Sequence, residues 1–143
     1  MKDFEDFLKK GIVKKQSVDK ARAQDLIEEA NRKFKQLKRV VEKIGIDDEN
    51  ANDLVEDSYD IILGLVRAKM LLEGLSASGK GAHEAEVSFL GKLGFREQEI
   101  EFIDKLRYFR NGILYYGTKF DREFANKVCE FLKKIKQKIE DLI

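Results

Sequence analysis

The sequence contains no proline, no tryptophan and a single cysteine among its 143 residues. Because proline interrupts helices, its absence removes the strongest helix breaker. One cysteine excludes an intramolecular disulfide, and a chain of this length can bury a core without such a crosslink. Charged residues make up 38% of the chain, with lysine and glutamate frequent, which favours long helices. We therefore predict an all-α protein with one domain, 1–143, in which 1–16 form a short helix and a connection.

The chain also lacks an excess of charge of one sign and a long apolar run. Its 28 basic residues face 27 acidic ones, so composition does not indicate a protein that coats nucleic acid or a membrane surface. The longest apolar run, 61–66, is far shorter than the roughly 20 residues of a membrane helix. The start, MKDFEDFLKK, lacks the apolar core of a signal peptide. We expect a cytoplasmic protein that does not enter a membrane.

Charge is nevertheless distributed unevenly along the chain. Residues 45–66 contain seven acids and no base, whereas residues 1–44 contain thirteen bases and eight acids. Segments of opposite charge are expected to face each other in the fold.

Apolar residues recur at steps of three and four, which is typical of amphipathic helices. The pattern predicts an antiparallel bundle of four to five helices with one or two short extra helices. The first predicted helix ends at Gly11, and the second runs from the N-cap Ser17 to Gly45. The third is capped by Asp47 or Asp48 and ends before Gly74, and a short fourth helix covers 82–90. The fifth runs from Arg96 to Gly117, and Asp121 caps the last.

The segment LSASGKGA, 75–82, is predicted to be a flexible connection between helices. With Gly74 it has the spacing of a phosphate-binding P-loop, but Gly81 stands where that loop needs serine or threonine for magnesium. Lys80 could still contact a phosphate, since glycine-rich turns before a helix expose amide donors. His83 follows directly. It is either a polar residue at a helix start or a proton carrier, and one histidine does not indicate a metal site.

The stretch LRYFRNGILYYG, 106–117, places Arg110 among aromatic and aliphatic residues. Arginine keeps its charge, so its burial is unfavourable unless a carboxylate, phosphate or carbonyl group receives it. Two arrangements are open, and the second does not exclude the first. In the first, Arg110 lies on a helix face that packs against a partner subunit and there contacts a phosphate. In the second, it pairs with one of the acids of 45–66 and fastens two helices together.

Several stretches together resemble the HEPN domains of prokaryotic toxin–antitoxin systems. They are DLVEDSYDIILGLVRAKMLLEG, HEAEVSFL and FRNGILYYG, which follow one another between helices. The resemblance covers about residues 17–143, and it implies a helical bundle that forms homodimers. The signature of the family is an arginine, commonly followed by asparagine, and then a histidine a few residues further on. Arg110 and Asn111 match its first half, whereas Tyr115 stands where the histidine is expected.

The resemblance implies an RNA- or nucleotide-binding protein that partners a nucleotidyltransferase. In active members the arginine stabilises charge on the phosphate while the histidine moves the proton, which gives metal-independent RNA cleavage. Such an endoribonuclease is one alternative for this chain, with Arg110, Asn111, Tyr115 and His83 as the candidate catalytic residues. A non-catalytic dimerising bundle is the other. Tyrosine is a poor base at neutral pH unless its pKa is strongly lowered.

Further site residues are predicted from the residues themselves and from the resemblance. Arg107, one turn before Arg110, and Lys80 are the additional candidates for phosphate binding. Tyr115 and Tyr116 are candidates for modification by the partner enzyme, although aromatic packing is their more ordinary role. No cofactor and no metal are expected.

Overall fold

The computed structural model describes the backbone of residues 1–143 and all side chains except those of Leu114 and Tyr115. It agrees with the prediction of a chain that is mostly helical. The described backbone forms six helices and a sheet of two strands. The elements are α1 (Phe4–Lys9), β1 (Val13–Lys15), α2 (Lys20–Lys43), α3 (Ala51–Leu72), β2 (Leu75–Ala77), α4 (Ala82–Phe89), α5 (Glu97–Tyr116) and α6 (Arg122–Leu142).

Carboxylate caps set the starts of α2 and α6. The predicted cap of α6 is confirmed, because Asp121 Oδ1 accepts a hydrogen bond from Phe124 N at 2.9 Å. The predicted cap of α2, Ser17, is wrong by two residues. Asp19 holds this position, and its Oδ1 accepts from Arg22 N at 3.0 Å. Serine and aspartate are comparable caps, so their types alone do not decide between them.

The start of α3 differs from the prediction for a similar reason. Asp47 is not its cap but closes the preceding turn, where Asp47 and Asn50 exchange hydrogen bonds of 3.0 and 2.8 Å. Asn50 then takes the N-cap position. Asp48 accepts from Arg122 N at 2.8 Å and so binds the first residue of α6. The acids of this turn hold the connection before α3 and the start of α6 together.

The predicted flexible connection after α3 contains strand β2. It pairs antiparallel with β1, with Val13 opposite Ala77. Gly74 precedes the strand with a φ of +70°, and a Cβ at this position would lie 2.7 Å from Gln16 O. Glycine is therefore required for the two segments to approach each other. Three residues are too few for the polar–apolar alternation that predicts a strand, which explains why the sequence pattern missed it.

Helix α3 lies at the centre of the fold, since thirteen of its 22 residues are buried. It runs antiparallel to α5, because Asn52 at its start bonds to Thr118 O after α5, and Asp60 at its middle contacts Arg110. It is also antiparallel to α2, because Asp19 N donates to Leu71 O near the end of α3. None of the described helices combines the length and apolarity needed to cross a bilayer.

Helices α5 and α6 pack through aromatic contacts. The rings of Phe102 and Phe131 lie 4.4 Å apart, and those of Phe109 and Phe124 lie 5.3 Å apart. Since the first pair joins the start of α5 to the middle of α6, and the second joins the end of α5 to the start of α6, the two helices are antiparallel. Edge-to-face pairs of this kind are favourable beyond their apolar area. They fix the position of α5, which carries Arg110.

Candidate functional site

The guanidinium of Arg110 is directed at α3. Its Nε lies 3.1 Å from Asp60 Oδ1, and the two side chains are 26% and 27% exposed. Ile103 and Leu106, which flank Arg110 at about 100° per residue, are fully buried. The alternative in which Arg110 pairs with an acid of 45–66 is therefore confirmed. This side of α5 packs on the chain's own α3, and the arginine remains partly accessible at the edge of the contact.

Two buried polar atoms beside this ion pair lack a well-formed hydrogen bond among the described residues. They are Arg110 Nε, whose N–H is not aligned with Asp60 despite the short distance, and Tyr59 Oη. The Arg110 Cζ lies 5.9 Å from the centre of the Tyr59 ring. An unsatisfied buried group is unfavourable by about 1–3 kcal/mol. This cluster, Tyr59–Asp60–Arg110, thus keeps two donors that a ligand or a changed side-chain position could satisfy.

The electrostatics of the cluster keep Tyr59 protonated. Burial raises the pKa of the Tyr59 phenol, and the Glu86 carboxylate adds to this increase, whereas Arg107 and Arg110 oppose it. Burial also raises the pKa of Glu56, against the opposing effect of Arg110. Tyr59 can therefore act as a hydrogen-bond donor at neutral pH but not as a base.

Helix α5 presents a second group of polar and aromatic residues to the outside. We define the α5 outer face as the exposed residues Tyr108, Asn111 and Tyr116 together with Arg107, which borders them and whose side chain is 20% exposed. Tyr108 is 66% exposed and Tyr116 is 85% exposed. The Arg107 Cζ lies 5.1 Å from the Tyr108 ring centre, and its Nε donates to Asp104 Oδ1 at 2.9 Å. Asn111 is exposed. An exposed aromatic ring beside a guanidinium can stack on a base and bind its phosphate.

The predicted residues thus divide between two sides of α5. Arg110 and Asn111 are neighbours in sequence, yet they are about 100° apart around the helix, so one is turned inward and the other outward. They do not form one site within this chain. The side chain of Tyr115 lies outside the described residues, and its predicted role as a substitute for the family's histidine stays a prediction.

His83 lies in the first turn of α4 and is exposed. Among the described residues no contact joins it to Arg110. It lines a cavity whose other polar side chains are Arg22, Arg67, Ser76 and Glu86. His83 is therefore placed with a different group of charges, and the endoribonuclease alternative, which needs a proton carrier beside Arg110, stays a prediction.

The glycine-rich segment does not wrap around a phosphate as a P-loop does. Its residues 75–77 are extended and bonded to β1. Lys80 is exposed in the turn before α4, and its side chain makes no hydrogen bond or ion pair with the described residues. The predicted contact of Lys80 with a phosphate stays a prediction, because none of the cavities described for this structure is lined by Lys80.

The ion pair between Arg67 and Glu86 was not predicted from the sequence. Arg67 donates to both carboxylate oxygens of Glu86, at 2.6 and 2.9 Å, and Glu86 is 1% exposed. A bidentate pair of this kind is strong and fixes both side chains. No local pattern signals this pair, because Arg67 and Glu86 are 19 residues apart and lie on different helices.

The described residues contain no group of three histidine, cysteine, aspartate or glutamate side chains placed to hold a metal ion. The candidate site residues on and beside α5 are arginine, tyrosine, asparagine and carboxylate side chains, of which arginine binds phosphates and tyrosine stacks on bases. Comparison with protein-family models, with curated proteins and with solved structures finds no match for this chain.

Proposed function

We propose that this protein is an HEPN-like, RNA- or nucleotide-binding component of a toxin–antitoxin type system, and that single-stranded RNA binds to the α5 outer face. The observation that carries the proposal is the exposure of Tyr108 in the middle of a helix, with the Arg107 guanidinium beside its ring. The resemblance of FRNGILYYG to the family's signature is the second support.

The position of Tyr108 is unusual within this chain. The other large apolar or aromatic side chains that are exposed among the described residues lie at chain ends, helix ends or the connection before a helix. They are Met1, Val18, Ile44, Tyr116, Leu142 and Ile143. The aromatic ring of Tyr108 is exposed in the middle of a helix, so it does not pack in the core and is accessible to a ligand.

The charge of the molecule favours a particular kind of nucleic-acid contact. With a net charge of +1, the chain has little long-range attraction for a polyanion. Stacking of a base on an aromatic ring contributes about 1–3 kcal/mol and needs no large basic surface. The α5 outer face therefore fits a short unpaired segment or a single nucleotide. Arg107 is the proposed phosphate contact, because Asp104 binds only its Nε and leaves the other N–H groups of the guanidinium for a phosphate.

Binding of a short labelled single-stranded RNA, measured by fluorescence anisotropy, tests this proposal. Tyr108→Ala should weaken binding about 5- to 150-fold, which is the loss of one stacked base. Tyr108→Phe is the matched control and should bind as the natural protein does, because the ring is retained. Equal affinity of all three proteins would overturn the proposal.

The homodimer remains part of the proposal, and it makes a separate prediction. Light scattering coupled to gel filtration should give twice the chain mass of 16.6 kDa. Aromatic residues are also frequent in protein interfaces. If Tyr108→Ala converts a dimer to a monomer, the α5 outer face is the dimer interface, and the argument for RNA at Tyr108 fails.

We also propose that a nucleotidyltransferase is the partner and that Tyr116 is its target. The 85% exposure of Tyr116 at the end of α5 supports access by a modifying enzyme. Where a nucleotidyltransferase is encoded next to this chain, co-expression of the two followed by intact-mass measurement should show one added nucleotide. The Tyr116→Phe variant should stay unmodified. Modification that persists in this variant would assign the target to another residue.

A further inference from the structure

A cavity of about 220 Å³ opens between α2, α3, β2 and the first turn of α4. It is lined by more cationic than anionic groups. The polar side chains around it are Arg22, Arg67, Ser76, His83 and Glu86. It lies apart from the α5 outer face, because none of the residues of that face lines it. Its volume is below the about 300–1,000 Å³ of pockets that hold drug-sized ligands, so it suits one small charged group.

Arg67 is held in a fixed position at this cavity. Its Nε and Nη2 donate to the two oxygens of Glu86, at 2.6 and 2.9 Å. A guanidinium has five N–H groups, so three remain for a ligand after these two bonds. Because Glu86 is 1% exposed, it orients the arginine while presenting almost no surface of its own. Glu86 neutralises the charge of Arg67, and because both side chains are fixed by this pair, the remaining N–H groups of Arg67 have fixed directions.

Arg22 supplies positive charge that is not balanced locally, and His83 supplies ring nitrogens for hydrogen bonds. Arg22 lies in the first turn of α2 and His83 in the first turn of α4. Neither side chain forms an ion pair within the described part of the chain. Gly81, the N-cap of α4, has no side chain to bind the first amides of this helix, and Ala82 N donates to Gly79 O instead.

We infer that this cavity binds a phosphate group, either inorganic phosphate or the terminal phosphate of a small phosphomonoester. Two guanidinium groups, an imidazole, the Ser76 hydroxyl and a helix N-terminus converge on it, and all of them are groups that bind phosphate oxygens. The inference does not depend on the proposed RNA contact, since the two sites share no residue.

Titration with inorganic phosphate, followed by NMR of the His83 ring, tests the inference. His83 is the only histidine, so its ring signals are assigned without ambiguity. The signals should shift saturably with phosphate and stay unchanged with chloride at the same ionic strength. Arg22→Ala should weaken phosphate binding about tenfold or more, whereas Lys20→Ala, an exposed cation on the same helix that does not line the cavity, should not. A response to chloride equal to that to phosphate would overturn the inference.

A second set of titrations identifies the group that is recognised. A nucleoside 5′-monophosphate should shift the His83 signals as inorganic phosphate does, and the unphosphorylated nucleoside should not. Shifts with the nucleoside but not with phosphate would refute a phosphate site. Tyr108→Ala should leave all these responses unchanged, so failure of the RNA proposal and failure of the phosphate site can be told apart.

Discussion

A hydroxyl group on Tyr59 sits in the core of the fold without a hydrogen-bond partner among the described residues. The residue is 2% exposed, and charges of both signs act on it, those of Arg107 and Arg110 and those of Glu86 and Asp60. Folding alone does not favour such a hydroxyl, since phenylalanine has the same shape and needs no partner. The hydroxyl of Tyr59 is therefore expected to add nothing to the stability of the fold.

Replacement of Tyr59 by phenylalanine should stabilise the protein. Removal of a buried, unsatisfied hydroxyl avoids its desolvation penalty, so we expect the free energy of unfolding in urea to rise by about 1 kcal/mol. Tyr108→Phe removes an exposed hydroxyl and should change stability by no more than about 0.5 kcal/mol. A loss of stability in Tyr59→Phe would mean that the hydroxyl has a stabilising partner in solution.

Breaking the ion pair at Arg110 tests whether it fastens α5 to α3. Both side chains are about a quarter exposed, so solvent weakens their attraction. Arg110→Ala should lower the free energy of unfolding by about 1 kcal/mol, because Asp60 then keeps only its longer contact with Lys33 Nζ, at 3.6 Å. Asp60→Asn should therefore cost less stability in the Arg110→Ala background than in the natural protein. Equal costs in the two backgrounds would show that the two residues act independently.

Among the elements, α5 and α6 are joined by one buried carboxylate near the start of α5. Glu99 is 3% exposed, and its Oε1 accepts from Arg96 N at 3.0 Å. Lys138 of α6 donates to both of its oxygens, at 2.8 and 2.9 Å. Burial alone would raise the pKa of Glu99, but the bonds from Lys138 and Arg96 outweigh it and lower that pKa below its usual value.

This pairing predicts a dependence of stability on pH. A carboxyl group with a lowered pKa in the folded state stabilises the fold above its unfolded pKa, and the contribution disappears as pH falls through the folded value. Glu99→Gln should therefore lower the free energy of unfolding at pH 7 by about 1.5–3 kcal/mol. The difference from the natural protein should shrink below about pH 4.

The control for this prediction is a carboxylate in an exposed pair. Glu130 contacts Lys133 on the surface of α6, where the Glu130 side chain is 63% exposed. Exposed pairs of this kind contribute little, so Glu130→Gln should change stability by no more than about 0.5 kcal/mol at any pH. Equal effects of the two substitutions would contradict the special role of Glu99.

The sequence pattern predicted the long elements well and the short ones less well. The limits of α5 and the cap Asp121 of α6 follow from periodicity and capping chemistry within one helix. The N-cap Asp19 and strand β2 depend on contacts with distant segments, such as the bond from Asp19 N to Leu71 O. Local propensity does not contain that information, which is why these boundaries were missed.

The candidate site shows the same division. The ion pair of Arg110 could be anticipated, because a fixed cation in an apolar helix needs an anion and residues 45–66 are rich in acids. That Asp60 is the partner of Arg110 could not be anticipated, since several acids of that segment were equally available. The pairing of Arg67 with Glu86 and the burial of Tyr59 depend on how α3, α4 and α5 cross, which one sequence does not specify.

In the whole molecule, positive charge is abundant but matched by an almost equal number of acids. The densest basic run lies on α6, and its lysines contact carboxylates. The pairs are Lys133 with Glu130, Lys134 and Lys138 with Glu99, and Lys136 with Glu140. A helix face whose cations are already balanced attracts a polyanion weakly. Nucleic-acid binding by this protein therefore has to depend on a small number of contacts and on stacking.

The salt dependence of RNA binding measures that number. For single-stranded RNA the slope of log K against log salt is about −0.7 for each phosphate neutralised, so contacts by Arg107 and one further cation give a slope of about −0.7 to −1.4. Arg107→Ala should flatten the slope by about 0.7, whereas Lys133→Ala on α6 should leave it unchanged. A slope steeper than about −4 would require an extended basic surface. The densest basic run is formed by the paired lysines of α6, so such a slope would indicate that RNA binds to α6 and not to the α5 outer face.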